Sequence, residues 1–234
     1  MTSTTPVVLS RKGAICPPSF ALKSQAHSPA LLSRPEMKVE RVSYDVMTPS
    51  SARAIFEAVL WKPQMRWRVS RIEVLKPIRW VNLRRNEVKE KILTGNVERA
   101  MKEGKGQLHL YIEDERVQRA GYFLRDVTYR IHAELLLTGK GSDPLIKYTE
   151  MFTRRASKGQ CVNQPYLGCR EFSADVRLVT ADTPPVQPIA DTRDLGWMLH
   201  DMDYTHPSDP QPRFFRGQMN AGVIEVPSFE EAVG

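Results

Sequence analysis

Arg84, Arg85 and Asn86 stand together in the run RRNEV, and Arg116, Gln118, Arg119 and Arg125 share a second polar stretch further along. A guanidinium grips phosphate through two parallel N–H donors, so clustered arginines read as a contact surface for a phosphate backbone. Trp61, Trp67 and Trp80 are interleaved with the first cluster. Their faces can stack on unpaired bases. They also suit an ordinary core beneath a solvated charged face, which is the favoured reading for each tryptophan taken alone. The arginine cluster as a whole is read as contacting RNA.

The charge distribution points the same way. Residues 62–91 carry ten Lys or Arg against three Glu, an excess of seven that equals the net charge of +7 on the whole 234-residue chain. Positive charge concentrated on one unit marks a face for a polyanion. Other chemistries find little support. His27, His109, His132, His200 and His206 form no metal-binding spacing, and His109 and His132 read as structural or solvent-facing. Cys16, Cys161 and Cys169 contain no CxxC pair and read as reduced thiols, so neither metal nor cofactor is expected. There is no phosphate-binding glycine loop, dinucleotide fingerprint or nucleophile elbow. No apolar run approaches the ~18 residues of a membrane helix, so no membrane partner is expected.

The elements that position these residues can be read from pattern. Thr48 and Pro49 suit a helix start, with Ala52, Ile55, Phe56, Val59 and Leu60 on one face and Pro63 beyond its end. Residues 66–81 read as one long strand with a bulge at Arg71. Residues 82–106 read as a charged connection with a short helix near 96–102, so RRNEV falls after the strand and Arg116–Arg119 in a turn. Alternation predicts strands over 107–113 and 127–137. A second helix is expected with Asp143 as cap and Pro144 first, carrying Leu145, Tyr148, Met151, Phe152 and Ala156 inward. A strand around 172–178 and three short strands at 196–204, 214–219 and 223–226 follow, the last two joined by an Asn220-Ala221-Gly222 hairpin signal. The order strand, helix, strand, strand, helix, strand predicts an α+β fold with a ferredoxin-like (RRM-like) core and an appended small antiparallel β-sheet. The expected divisions are a poorly ordered tail at 1–18, an RNA-binding domain at 19–181 and a C-terminal sheet domain at 182–234.

The segments RPEMKVERVSYDVMTPSSAR, EAVLWKP, LKPIRW, RRNEV, VQRAGYFLRDVTYRIHAEL, RRASKGQCVNQPYLGCREF and DLGWMLHDMDY occur in this order from Arg34 onward. Together they resemble the type I-C CRISPR repeat-processing endoribonucleases, subtype d of the fifth Cas protein family in the RAMP superfamily. The first thirty or so residues fall outside the resemblance. It implies a prokaryotic cytoplasmic protein that cuts CRISPR repeat RNA without metal, leaves a 2′,3′-cyclic phosphate and keeps the 5′ handle of the guide RNA. It also implies assembly with the backbone and large subunits of a surveillance complex, and so indirect contact with target DNA. Arg154 and Arg155, which open RRASKGQC, join the implied RNA contacts.

In the resembling family, a Lys-His pair and an aromatic or imidazole side chain before Trp-Lys-Pro take part in cleavage. Here the positions read Lys147-Tyr148 and Leu60. Lys147 can supply positive charge at the phosphorane, but Tyr148 is a poor base near neutral pH and Leu60 transfers no proton. Both departures fit packing residues, and they favour the alternative of a non-catalytic handle-binding subunit. Gly168, in PYLGCREF, reads either as a close approach of backbone to RNA or partner, or as a turn before a strand.

Overall fold

The computed structural model describes residues 17–26, 30–34, 37, 40–106 and 108–234. All of the expected tail except Pro17 and Pro18 lies outside these residues, as do Cys16 and His27. The elements run β1 (Ser19–Gln25), β2 (Arg41–Val42), α1 (Pro49–Val59), β3 (Met65–Val74), β4 (Trp80–Val88), α2 (Thr94–Glu103), α3 (Ile112–Glu115) and β5 (Arg116–Leu124). They continue with β6 (Thr128–Leu137), α4 (Leu145–Ser157), β7 (Asp175–Leu178), β8 (Arg193–Asp203), β9 (Gln211–Asn220) and β10 (Val223–Glu225).

The fold is mixed α/β and built on a large antiparallel sheet in the order β7-β1-β6-β3-β10-β9-β8, with a second sheet β2-β5-β4 beside it. β10 pairs with β3 as well as with β9, so the large sheet runs without a break past residue 182. α1 begins as its sequence dictates. Thr48 Oγ1 accepts the Ser51 N–H at 3.4 Å and Pro49 takes the first position, a cap typically worth about 1 kcal/mol. Ala52, Ile55, Phe56 and Val59 are buried.

In β3 the buried positions are Met65, Trp67 and Val69, then Ile72 and Val74. The ladder to β6 skips a residue between Val69 and Arg71. This bulge exchanges odd for even positions on the inner face and keeps both halves packed. Trp67, Phe152 of α4 and Phe56 of α1 meet with ring centroids 4.6–5.7 Å apart, and Phe20 of β1 closes the cluster. The two helices and the sheet therefore share one core. Glu73, nearly buried, accepts Arg130 at 2.6 Å and lies 2.9 Å from His132 Nε2. Burial lowers the His132 pKa, and Arg71 beside it acts in the same direction. His132 is thus part of a structural network.

Four expectations are corrected. The long strand over 66–81 is two strands, β3 and β4, separated by a turn. The connection over 82–106 begins as part of β4, which ends at Val88, and then contains the expected short helix as α2, while the polar turn at 116–119 is β5. The strand over 107–113 is absent from the described residues there. Leu108, Leu110 and Ile112 stay exposed because no sheet edge takes their alternation. The β9–β10 turn is as its sequence suggests, with Ala221 and Gly222 both at positive φ (49° and 76°), a geometry that suits the twist of a tight hairpin. Among the described residues no helix is long and apolar enough to cross a membrane.

Candidate functional site

β4 and β5 form a nine-pair antiparallel ribbon, from Trp80↔Leu124 to Val88↔Arg116. Directly opposed residues point to the same side, so the ribbon's two faces can be assigned. One carries Asn82, Arg84, Asn86, Gln118, Arg116 and Tyr122, all exposed. Trp80 and Tyr122 lie at its base with ring centroids 5.8 Å apart. The other face carries Arg85, Glu87, Arg119, Leu83 and Phe123. There Arg85 forms a two-pronged pair with Glu171 and lies over the Phe172 ring at 5.8 Å. Glu87 accepts Arg41 at 3.1 Å and lies 3.8 Å from Arg119.

The adjacent arginines of RRNEV thus do different things. Arg84, with Asn86 and Arg116, faces solvent and is available to a phosphate backbone. Arg85 and Arg119 are engaged by carboxylates on the reverse face. Tyr122, exposed on the same face, was not singled out by the sequence reading. Arg125 follows β5 and lies 3.3 Å from Asp126. Arg154 is exposed on the last turn of α4, whereas Arg155 donates to the Val59 carbonyl at 3.1 Å and so caps the end of α1.

A second cluster sits where α4 begins. Pro144 occupies the capping position and makes no side-chain cap bond. The expected cap, Asp143, instead accepts Lys147 Nζ at 2.8 Å and Tyr148 OH at 3.1 Å on the same carboxylate oxygen. Lys147 is about half exposed, at 49%, and the Tyr148 ring is buried in the core. The hydrogen bond from Lys147 lowers the Asp143 pKa, and the same contact raises that of Lys147. Burial, and then the bond to Asp143, raise the Tyr148 pKa. The cluster therefore holds an ammonium, a carboxylate and a neutral phenol across the neutral range. Tyr148 is a proton donor there and no base. Asp143 is the member that sequence reasoning missed. Its spacing of four and five residues to Lys147 and Tyr148 was the available signal.

Leu60 is fully buried at the C-terminal end of α1, and its carbonyl accepts Trp67 Nε1 at 2.9 Å. Of the tryptophans, Trp67 is core and Trp61 is exposed. Gly168 has φ +92°, and a Cβ there would lie 1.6 Å from the Leu31 carbonyl oxygen. Its close approach is therefore to its own chain. Among the described residues no group of three His, Cys, Asp or Glu is placed to hold a metal ion.

A family model described as CRISPR-associated protein (Cas_Cas5) matches residues 27–227. A Mannheimia succiniciproducens protein named CRISPR pre-crRNA endoribonuclease Cas5d is 48% identical over 207 residues, covering 86% of this chain and 91% of that protein. A Thermus thermophilus protein of the same name is 38% identical over 219 residues, covering 85% and 87%. Two solved structures share the fold. A crystal structure of a CRISPR-associated protein aligns with TM-score 0.66 at 20% identity, over 92% of this chain and 95% of the other. A chain of a CRISPR RNA-guided surveillance complex aligns with TM-score 0.52 at 14% identity, over 90% and 92%.

Proposed function

The chain belongs to the CRISPR-associated Cas5 family, and from that membership we propose that it is an endoribonuclease that cuts CRISPR repeat transcripts and stays with the guide RNA in a prokaryotic surveillance complex. The observation that carries this reading is the cluster at the head of α4, where an exposed ammonium and a phenol share one carboxylate. The exposed face of the β4–β5 ribbon holds the RNA backbone through Arg84 and Arg116. Residues 19–181 form the RNA-binding unit. Its ferredoxin-like core is supported by the strand order β7-β1-β6-β3 with α1 and α4 as the crossing helices. Residues 182–234 form the appended antiparallel unit.

Cleavage needs no metal in this reading. The 2′-hydroxyl attacks the adjacent phosphorus and gives its proton to solvent base. The 5′ oxygen leaves and takes up a proton, giving a 2′,3′-cyclic phosphate and a 5′-hydroxyl. Lys147 places its charge beside the phosphorane oxygens, where fixed electrostatics act most strongly. Tyr148 gives its single O–H to Asp143, and Asp143 in turn anchors Lys147. The test is direct: incubate the protein with its own repeat RNA in EDTA and identify the ends. Slow cleavage leaving a 2′,3′-cyclic phosphate is expected; a requirement for magnesium would overturn the mechanism.

Because Asp143 titrates lower than usual and Lys147 and Tyr148 higher, no member of the cluster changes charge between about pH 5 and 9. The cleavage rate should therefore climb steadily with pH across that window, following deprotonation of the 2′-hydroxyl. A bell-shaped profile inside it would reveal a titrating catalytic group.

RNA affinity should fall steeply with salt as phosphate contacts release counterions. Arg84→Glu is expected to weaken binding across many stem-loop sequences and to lower the slope of log affinity against log salt by about 1. Arg85→Glu, on the reverse face, should affect affinity less and cost under about 1 kcal/mol of stability, as exposed ion pairs do. Filter binding over a salt series separates the two.

The buried Leu60 supports a second reading, in which the chain caps the guide-RNA handle and cleaves nothing. With Leu60 packed in the core, one position that carries proton-transfer chemistry in the resembling family is empty.

A further inference from the structure

Asp143 anchors Lys147, yet its backbone lies outside α4 and its side chain is 43% exposed. Where Asp143 sits is therefore decided by the loop that delivers it from β6, residues 138–142. That loop carries two glycines at positive φ, Gly139 at 77° and Gly141 at 126°. Left to itself, such a segment has many backbone conformations open to it. We propose that the Thr138 hydroxyl is a positioning group for cleavage. It latches the loop onto the turn that follows α1, and so sets Asp143, and through Asp143 the Lys147 ammonium, at the scissile phosphate. The inference rests on the cleavage reading above.

Three observations carry it. First, the latch is made. The β3–β6 ladder ends at Met65↔Leu137. One residue further on, Thr138 N–H donates to the Gln64 carbonyl at 3.0 Å, and Thr138 Oγ1 donates to the Pro63 carbonyl at 2.9 Å. Second, the support is fixed. Met65 N–H closes the turn onto the Lys62 carbonyl at 3.1 Å. Just before that turn, Trp67 Nε1 holds the Leu60 carbonyl and Arg155 holds that of Val59. The Trp-Lys-Pro run therefore offers the Pro63 carbonyl at a set place. Third, the loop meets the same turn again just before Asp143. A Cβ on Gly141 would lie 3.1 Å from Gln64 Cγ, so the backbone passes close to that side chain. Pro144, with φ at −72°, then leads directly into α4. A surface hydroxyl bond adds little to global stability. Its effect falls on geometry, where a displacement of about 1 Å is enough to slow a reaction.

The test uses Thr138→Val, which keeps the β-branched shape and the backbone bond and removes only the hydroxyl. Thr138 is exposed, so the variant should melt like the wild type. Single-turnover cleavage of the repeat RNA should slow about fivefold, the scale of one lost hydrogen bond, with RNA affinity unchanged. Thr138→Ser should keep most of the rate. In an Asp143→Asn background the valine should cost nothing further, because the latch acts through Asp143. A second readout needs no cleavage. The contact with Asp143 raises the Lys147 pKa, so the Lys147 titration midpoint should fall in both Thr138→Val and Asp143→Asn. It is followed by NMR of the ¹³C-methylated protein, with Lys147→Arg identifying the signal. An unmoved midpoint in Thr138→Val, or an equal slowing with and without Asp143, would overturn the latch. A matching loss of RNA affinity would also overturn it and make Thr138 part of the RNA surface. A wild type that cuts no RNA, with the midpoint still falling in Thr138→Val, would sink the cleavage reading and leave the latch standing.

Discussion

Replacing Lys147 by alanine is expected to slow cleavage of the repeat transcript by about 10²-fold or more, the usual cost of removing a group that stabilises developing charge. RNA affinity should change little, because one surface ammonium is a small part of the chain's 34 Lys and Arg side chains. The measurement is single-turnover cleavage at saturating protein, with affinity measured in parallel. An equal loss in both would make Lys147 an ordinary backbone contact. Two further variants refine the result. Asp143→Asn leaves Lys147 charged but without its anchor, so it should lower the rate less than Lys147→Ala. Tyr148→His would set an imidazole beside the Asp143 carboxylate, supply a base near neutral pH and raise the rate. A tyrosine at position 60 is a poorer rescue, since Leu60 is enclosed by the core and a larger side chain must displace its neighbours.

Among the described glycines, Gly168→Ala should be the most destabilising Gly→Ala change. The left-handed backbone at φ +92° is one cost, and the added Cβ, 1.6 Å from the Leu31 carbonyl oxygen, is a larger one. That oxygen belongs to the backbone and cannot rotate away. The surrounding bonds, Leu31 N–H to the Leu167 carbonyl and Leu167 N–H to the Phe172 carbonyl, must break for the loop to move. A loss of about 3 kcal/mol or more is expected. Gly139→Ala is the control. Gly139 also has positive φ, at +77°, but a Cβ there meets nothing within 4 Å, so only the backbone cost of about 1 kcal/mol remains. Urea midpoints for the two variants separate strain from collision, and equal shifts would refute the collision.

Where a residue pattern and its burial agree, the sequence was a good guide. Thr48 with Pro49 marked α1, the period-two run into Leu137 marked β6, and the imperfect alternation at Arg71 marked a bulge that the ladder contains. β4 and β5 were not legible for a physical reason. Their outer face is Asn, Arg and Gln, and their inner face mixes Leu83 and Phe123 with paired Arg85 and Glu87. A strand with polar residues on both sides shows no hydrophobic period. Lys147 and Tyr148 could be singled out through resemblance, but Asp143 looked like a cap because Asp before Pro at a helix start usually is one. Its choice of Lys147 and Tyr148 is a matter of side-chain geometry. The three tryptophans are alike in sequence, and only tertiary packing distinguishes buried Trp67 from exposed Trp61.

The ribbon's division into two faces has a consequence for how such a protein can change. Asn82, Arg84, Asn86, Arg116 and Gln118 are exposed, so substitutions among them disturb little of the packing that holds β4 and β5 together. Phe123, with Leu31 and Phe172, supplies that packing on the reverse side. The outer face is thus an interchangeable label on a constant mount. On the proposed reading, the grip on an RNA backbone can therefore be strengthened or weakened through these five side chains at little cost in stability.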